Sequence, residues 1–139
     1  MGQQQLLLII LGVIVVGIAV AVGITMFKDN AVSANRDAVT NDLVNLAARA
    51  QQYYRRPTAL GGGQGSFSGL TADISGLRKL TSMPNGQNAN GQYSVVSTSI
   101  SSMVLQGLGT ETGNDGTTPV KVVMDVWADS AKVDPTQGN

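Results

Sequence analysis

Three glutamines, Gln3, Gln4 and Gln5, lead into a charge-free apolar run over residues 6–27, and no Asp, Glu, Lys or Arg precedes Lys28. As a helix rising about 1.5 Å per residue, that run is about 33 Å long, enough to cross a bilayer core of about 30 Å. A helix apolar on every side belongs in lipid or inside a protein assembly. From Asn30 the pattern changes. Val32, Val39, Leu43, Leu46, Ala47, Ala50 and Tyr54 fall on one stripe at helical spacing, and Arg36, Asp42, Asn45, Arg49 and Gln52 lie on the other side. Neither Gly nor Pro occurs between Gly23 and Pro57. One uninterrupted helix is therefore expected from about residue 3 to residue 56, about 80 Å long, its first half apolar all round and its second half dry on one face.

Beyond Pro57 the pattern shortens. Leu60-Gly61-Gly62-Gly63-Gln64-Gly65-Ser66-Phe67 predicts a hinge or a tight loop. Thr71 or Asp73 is placed to cap a short helix ending at Leu80. Pro84-Asn85-Gly86 and Asn90-Gly91 are turn signals, with strands expected over residues 93–98, 102–108 and 120–128. In the last, Val120, Val122, Met124, Val126 and Ala128 alternate with Lys121, Val123, Asp125, Trp127 and Asp129, the pattern of a sheet with one buried face. Gly113, Asn114, Asp115 and Gly116 form the turn between the second and third strands. The expected fold is α+β: a hydrophobic helix (residues 1–29), its amphipathic continuation (30–56), and a loop and antiparallel sheet head (57–139). A head of roughly 80 residues makes a marginal core alone. It is expected to settle on Leu43, Leu46, Ala47, Ala50 and Tyr54.

Nine basic residues balance nine acidic ones, and the chain has no His and no Cys. This composition offers no His/Cys metal cluster, no Cys or His nucleophile and no disulfide, so neither an enzyme nor a cofactor is expected. Glu111, Asn114 and Asp115 are weak calcium candidates, although a solvated turn uses the same residue types. Arg49, Arg55, Arg56, Arg78 and Lys79 are candidates for a basic patch, but zero net charge and nearby Asp37, Asp42 and Asp73 favour a solvated or subunit-bridging face over nucleic acid. The aromatic residues Phe27, Tyr53, Tyr54, Phe67, Tyr93 and Trp127 are expected in core and helix-to-head contacts.

The segment MGQQQLLLIILGVIVVGIAVAVGITMF, the amphipathic DAVTNDLVNLAARAQQYYRRP and the break at GGGQGSF together resemble the type IV pilin and type II secretion pseudopilin superfamily. The resemblance covers about the first half of the chain and implies a structural subunit, stored in the cytoplasmic membrane, whose helices bundle into the core of a surface filament. It also implies an assembly platform driven by a motor ATPase, and a prepilin peptidase that removes a basic leader; either a leader is removed before Met1 or the chain is never trimmed. The subunit contacts it implies are Met1, Gln3, Gln4, Gln5, Leu8, Leu11, Ile14, Val16, Ile18 and Val22. The chain departs from the family pattern at Gln5, where the family has Glu, and in lacking the common Pro of the apolar run. The sequence as it stands starts without the family's basic leader, and its head has no cysteine pair. Gly12, Gly17 and Gly23 are then the weak points of the helix, where local melting and close packing are both open. A solitary membrane-anchored extracytoplasmic binding protein and a secretion pseudopilin are the alternatives.

Overall fold

The computed structural model describes residues 2–135. It is α+β: a long helix α1 (Gly2–Arg55), a short helix α2 (Ile74–Leu80), and strands β1 (Gly91–Thr98), β2 (Ser102–Thr112), β3 (Pro119–Trp127) and β4 (Ala131–Asp134), with 3-10 turns at Thr58–Leu60 and Pro84–Gly86. The strands form one antiparallel meander in the order β1-β2-β3-β4. Two compact units divide the chain, one ending at Ala31 and the other beginning at Val32.

Within the second unit, the apolar stripe of α1 does what its spacing demands. Val32, Val39, Leu43, Leu46, Ala47, Ala50 and Tyr53 are buried and share one core with Phe67, Leu70, Leu77, Leu80, Tyr93, Val95, Met103, Leu105 and alternate residues of β3. The stripe closes on Tyr53, one turn beyond Ala50. Tyr54 is half-buried at the edge of this core and meets Phe67 obliquely, with ring centroids 4.7 Å apart. Strand register places Tyr93, Gly107 and Val122 in one row under the helix, and Val95, Leu105 and Met124 in the next. At Gly107 the helix comes close to this row: a Cβ there would stand 2.5 Å from Cγ1 of Val39 and 3.1 Å from the Tyr93 ring.

Alternation along β3 has one inner face, Val120, Val122, Met124 and Val126, all buried. On the outer face Lys121 and Asp125 are half-exposed, but Val123 is buried between Gln106 of β2 and Asp134 of β4. Trp127 corrects the expectation that the aromatic residues are core, because it lies on this outer face and is 39% exposed. Phe27 corrects it too, at 78%. The fourth strand was not expected: Trp127 N–H donates to Ser130 O (2.8 Å), closing a tight turn that returns the chain as β4. β2 also runs past its expected end at residue 108, through an irregularity between Leu108 and Thr112.

The glycine-rich segment after α1 is a tight loop rather than a hinge. The last carbonyls of a helix lack intrahelical donors, and here the loop folds back to supply them. Gly63 N–H donates to Tyr53 O (2.8 Å), Gly65 N–H to Tyr54 O (2.7 Å) and Gln64 N–H to Arg56 O (3.0 Å). A Cβ on Gly63 would lie 2.0 Å from Ser66 O, so the fold-back requires glycine. Asp73 rather than Thr71 caps α2: its Oδ1 accepts from Ser75 N–H (2.9 Å) and Gly76 N–H (3.0 Å), and the Thr71 hydroxyl donates to the same oxygen (2.8 Å). These bonds, the Ser75 hydroxyl (2.6 Å) foremost, hold the Asp73 carboxyl down at about 2.

Candidate functional site

The first unit is a helical surface with no cover. Every large apolar side chain in residues 6–27 is between 51% and 78% exposed, including Leu8, Leu11, Ile14, Val16, Ile18 and Val22. Gln3, Gln4 and Gln5 also lie exposed on α1, while Met1 falls outside the described residues. The Thr25 hydroxyl is satisfied within the helix, donating to Ala21 O (3.0 Å) and Val22 O (2.8 Å), so this polar group is compatible with an apolar surround. α1 is long and apolar enough to cross a membrane. A Cβ added at Gly12, Gly17 or Gly23 would meet nothing within 4 Å among the described residues. Among the described residues, no close packing requires glycine at these three places.

Two polar residues on α1 fasten the second unit, and the sequence alone did not single them out. Oδ2 of Asp42 accepts from the Tyr93 hydroxyl (2.6 Å) and from the side-chain amides of Asn88 and Asn90 (2.8 Å each). Burial works to raise the Asp42 carboxyl, but the bonds from Asn90, Tyr93 and Asn88 outweigh it and hold the group below its ordinary value. Burial, with the adjacent Asp42 charge, raises the Tyr93 phenol. Asn35 reaches the opposite side of the same loop and the irregular stretch of β2. Its Nδ2 donates to Asn90 O (3.0 Å) and to the Thr110 hydroxyl (3.3 Å), and its Oδ1 accepts from Glu111 N–H (3.3 Å). Asp42 and Asn35, seven residues apart, are two turns apart on one side of α1; that periodicity was the available signal.

The candidate basic patch is divided by the fold. Arg49, Arg56 and Lys79 line one cavity of about 410 Å³, together with Gln52, Tyr53 and Leu80. Arg55 instead donates to Ala128 O (3.2 Å), and Gln51 donates to Trp127 O (3.1 Å) and Ser130 O (3.2 Å), so the end of α1 holds the β3–β4 turn. Arg78 is exposed in the last turn of α2. Of the calcium candidates, Asp115 is committed to its own turn: Oδ1 accepts from Thr117 N–H (3.1 Å) and Thr118 N–H (3.0 Å), and Oδ2 accepts from the Thr118 hydroxyl. Glu111 and Asn114 are exposed. Among the described residues no group of three or more His, Cys, Asp or Glu side chains is arranged to hold a metal ion. No protein-family model, curated protein or solved structure matches the chain.

Proposed function

We propose that this protein is the structural subunit of a type IV pilus-like extracellular filament, held in the membrane by the apolar part of α1 before assembly and polymerised through that same surface. The observation that carries the reading is the single helix α1 (Gly2–Arg55), charge-free before Lys28 with its large apolar side chains at least half exposed, yet carrying a buried stripe from Val32 to Tyr53. A soluble monomer rarely leaves so large an apolar surface bare, and an ordinary anchor need not share its helix with the buried stripe of its head.

Lipid tails and a bundle of aliphatic side chains are similarly apolar, so moving residues 6–27 from bilayer to filament gains little from the hydrophobic effect. Packing, polar contacts at Gln3, Gln4 and Gln5, and external work drive assembly. Once assembled, a subunit that left for water would expose its large apolar side chains at roughly 1.5 to 3 kcal/mol each, so filaments do not shed subunits. Negative-stain imaging of detergent-free material sheared from expressing cells tests the proposal. Thin filaments are expected for the native chain and none for Ile14→Lys, since an unpaired buried charge costs several kcal/mol. Membrane-anchored single copies, with no filament, would replace this reading with that of a solitary anchored binding protein.

A further inference from the structure

We propose that the cavity lined by Arg49, Gln52, Tyr53, Arg56, Lys79 and Leu80 is a binding site for a small phosphate monoester, with the phosphate held by the three cationic side chains and the neutral body in the remaining space. It goes beyond the filament reading and does not depend on it.

Three of the chain's nine basic residues converge on one concavity, and no Asp or Glu lines it. Two are held in place by neutral partners. An Nη of Arg49 donates to Leu80 O (3.2 Å), at the end of α2, and Nζ of Lys79 donates to Gly69 O (2.5 Å). A main-chain carbonyl fixes direction without adding an opposite charge, and each group keeps donors to spare. Arg56 has no side-chain hydrogen bond among the described residues, and its backbone is locked by the fold-back of Gln64. The nearest carboxylates by sequence are spent elsewhere, Asp42 on Tyr93, Asn88 and Asn90, and Asp73 on the cap of α2. Like charges gathered without an acidic partner repel one another, and a bound anion relieves the repulsion.

Charge and size choose the class of anion. A phosphate monoester carries about −1.5 to −2 at neutral pH and three acceptor oxygens, which suits two guanidinium forks and an ammonium better than a singly charged carboxylate. The site is an open depression of about 410 Å³, within the roughly 300–1,000 Å³ of small-molecule pockets. That is more than a phosphate head fills and enough for a body the size of a monosaccharide. Gln52, exposed at the site and offering donors and an acceptor, is suited to meet such a body.

The test is calorimetric titration of the full-length protein in non-ionic detergent with three probes: a hexose 6-phosphate, inorganic phosphate and the uncharged hexose. The expected result is saturable binding of the hexose phosphate, tighter than inorganic phosphate, and no binding of the hexose. Arg56→Gln should weaken the hexose phosphate at least tenfold without changing the melting temperature, whereas Arg78→Gln, outside the cavity, should leave it unchanged. Absence of saturable binding would overturn the proposal, and so would equal weakening by Arg56→Gln and Arg78→Gln, which marks diffuse attraction. Equal affinity for inorganic phosphate and the hexose phosphate would overturn the assignment of an ester.

Discussion

At the scale of single residues, Asp42 is the most informative polar group in the second unit. Its folded carboxyl is held below 3.8 by the bonds from Asn90, Tyr93 and Asn88. A depressed carboxylate contributes stability that is fully present above its unfolded value and is lost as pH falls through the folded one. The melting temperature should therefore drop as pH is lowered from 3.8, and Asp42→Asn should remove part of that drop while costing about 1 kcal/mol at neutral pH, since the group is half-exposed. Thermal melts of the two proteins across that range check it; parallel curves would show that Asp42 is not a principal titrating group. Leu46, 2% exposed, should cost about 2 to 5 kcal/mol on replacement by alanine. Gly107→Ala should also destabilise, by about 1 to 3 kcal/mol, because its Cβ meets Val39. If Gly107→Ala melts with the native protein, the helix is not seated as closely on that row as described. Gln5 is neutral, so Gln5→Leu removes a net hydrogen bond of about 0.5 to 1.5 kcal/mol and should thin filaments modestly. Complete loss, counted per cell, would give Gln5 a specific recognition role.

At the scale of elements, what was legible followed from periodicity and what was hidden followed from tertiary context. The 3.6-residue stripe announced the second half of α1, and the two-residue alternation of Val120 to Val126 announced β3. β4 carried no such signal: Ala131, Lys132, Val133 and Asp134 make a four-residue edge strand, mostly exposed, defined only by its partner. Lys132 on that edge discourages further strand addition. Tyr53 and Tyr54 are adjacent, and only the position of Phe67 shows which ring goes under and which lies beside. Trp127 falls with Lys121, Val123 and Asp125 on the odd-numbered, outer face of β3, and the alternation outweighs the expectation that an aromatic residue packs in the core. The glycines of the loop allow either a hinge or a tight turn, and the carbonyls of Tyr53, Tyr54 and Arg56 decide it. The cavity is half legible, since the sequence offers the basic residues as a set but the fold separates Arg55 and Arg78 from Arg49, Arg56 and Lys79.

At the scale of the whole molecule, the central claim is that residues 6–27, bare within one chain, are covered by copies of themselves. Because the chain has no native cysteine, a single introduced thiol reports on one place. Filaments sheared from cells and freed of detergent would be exposed to a water-soluble maleimide, comparing Val16→Cys with Arg78→Cys in the exposed last turn of α2. The account predicts that the thiol at position 16 stays unlabelled until detergent disperses the filaments, while the one at position 78 reacts at once. Labelling of position 16 as fast as position 78 in intact filaments would contradict it.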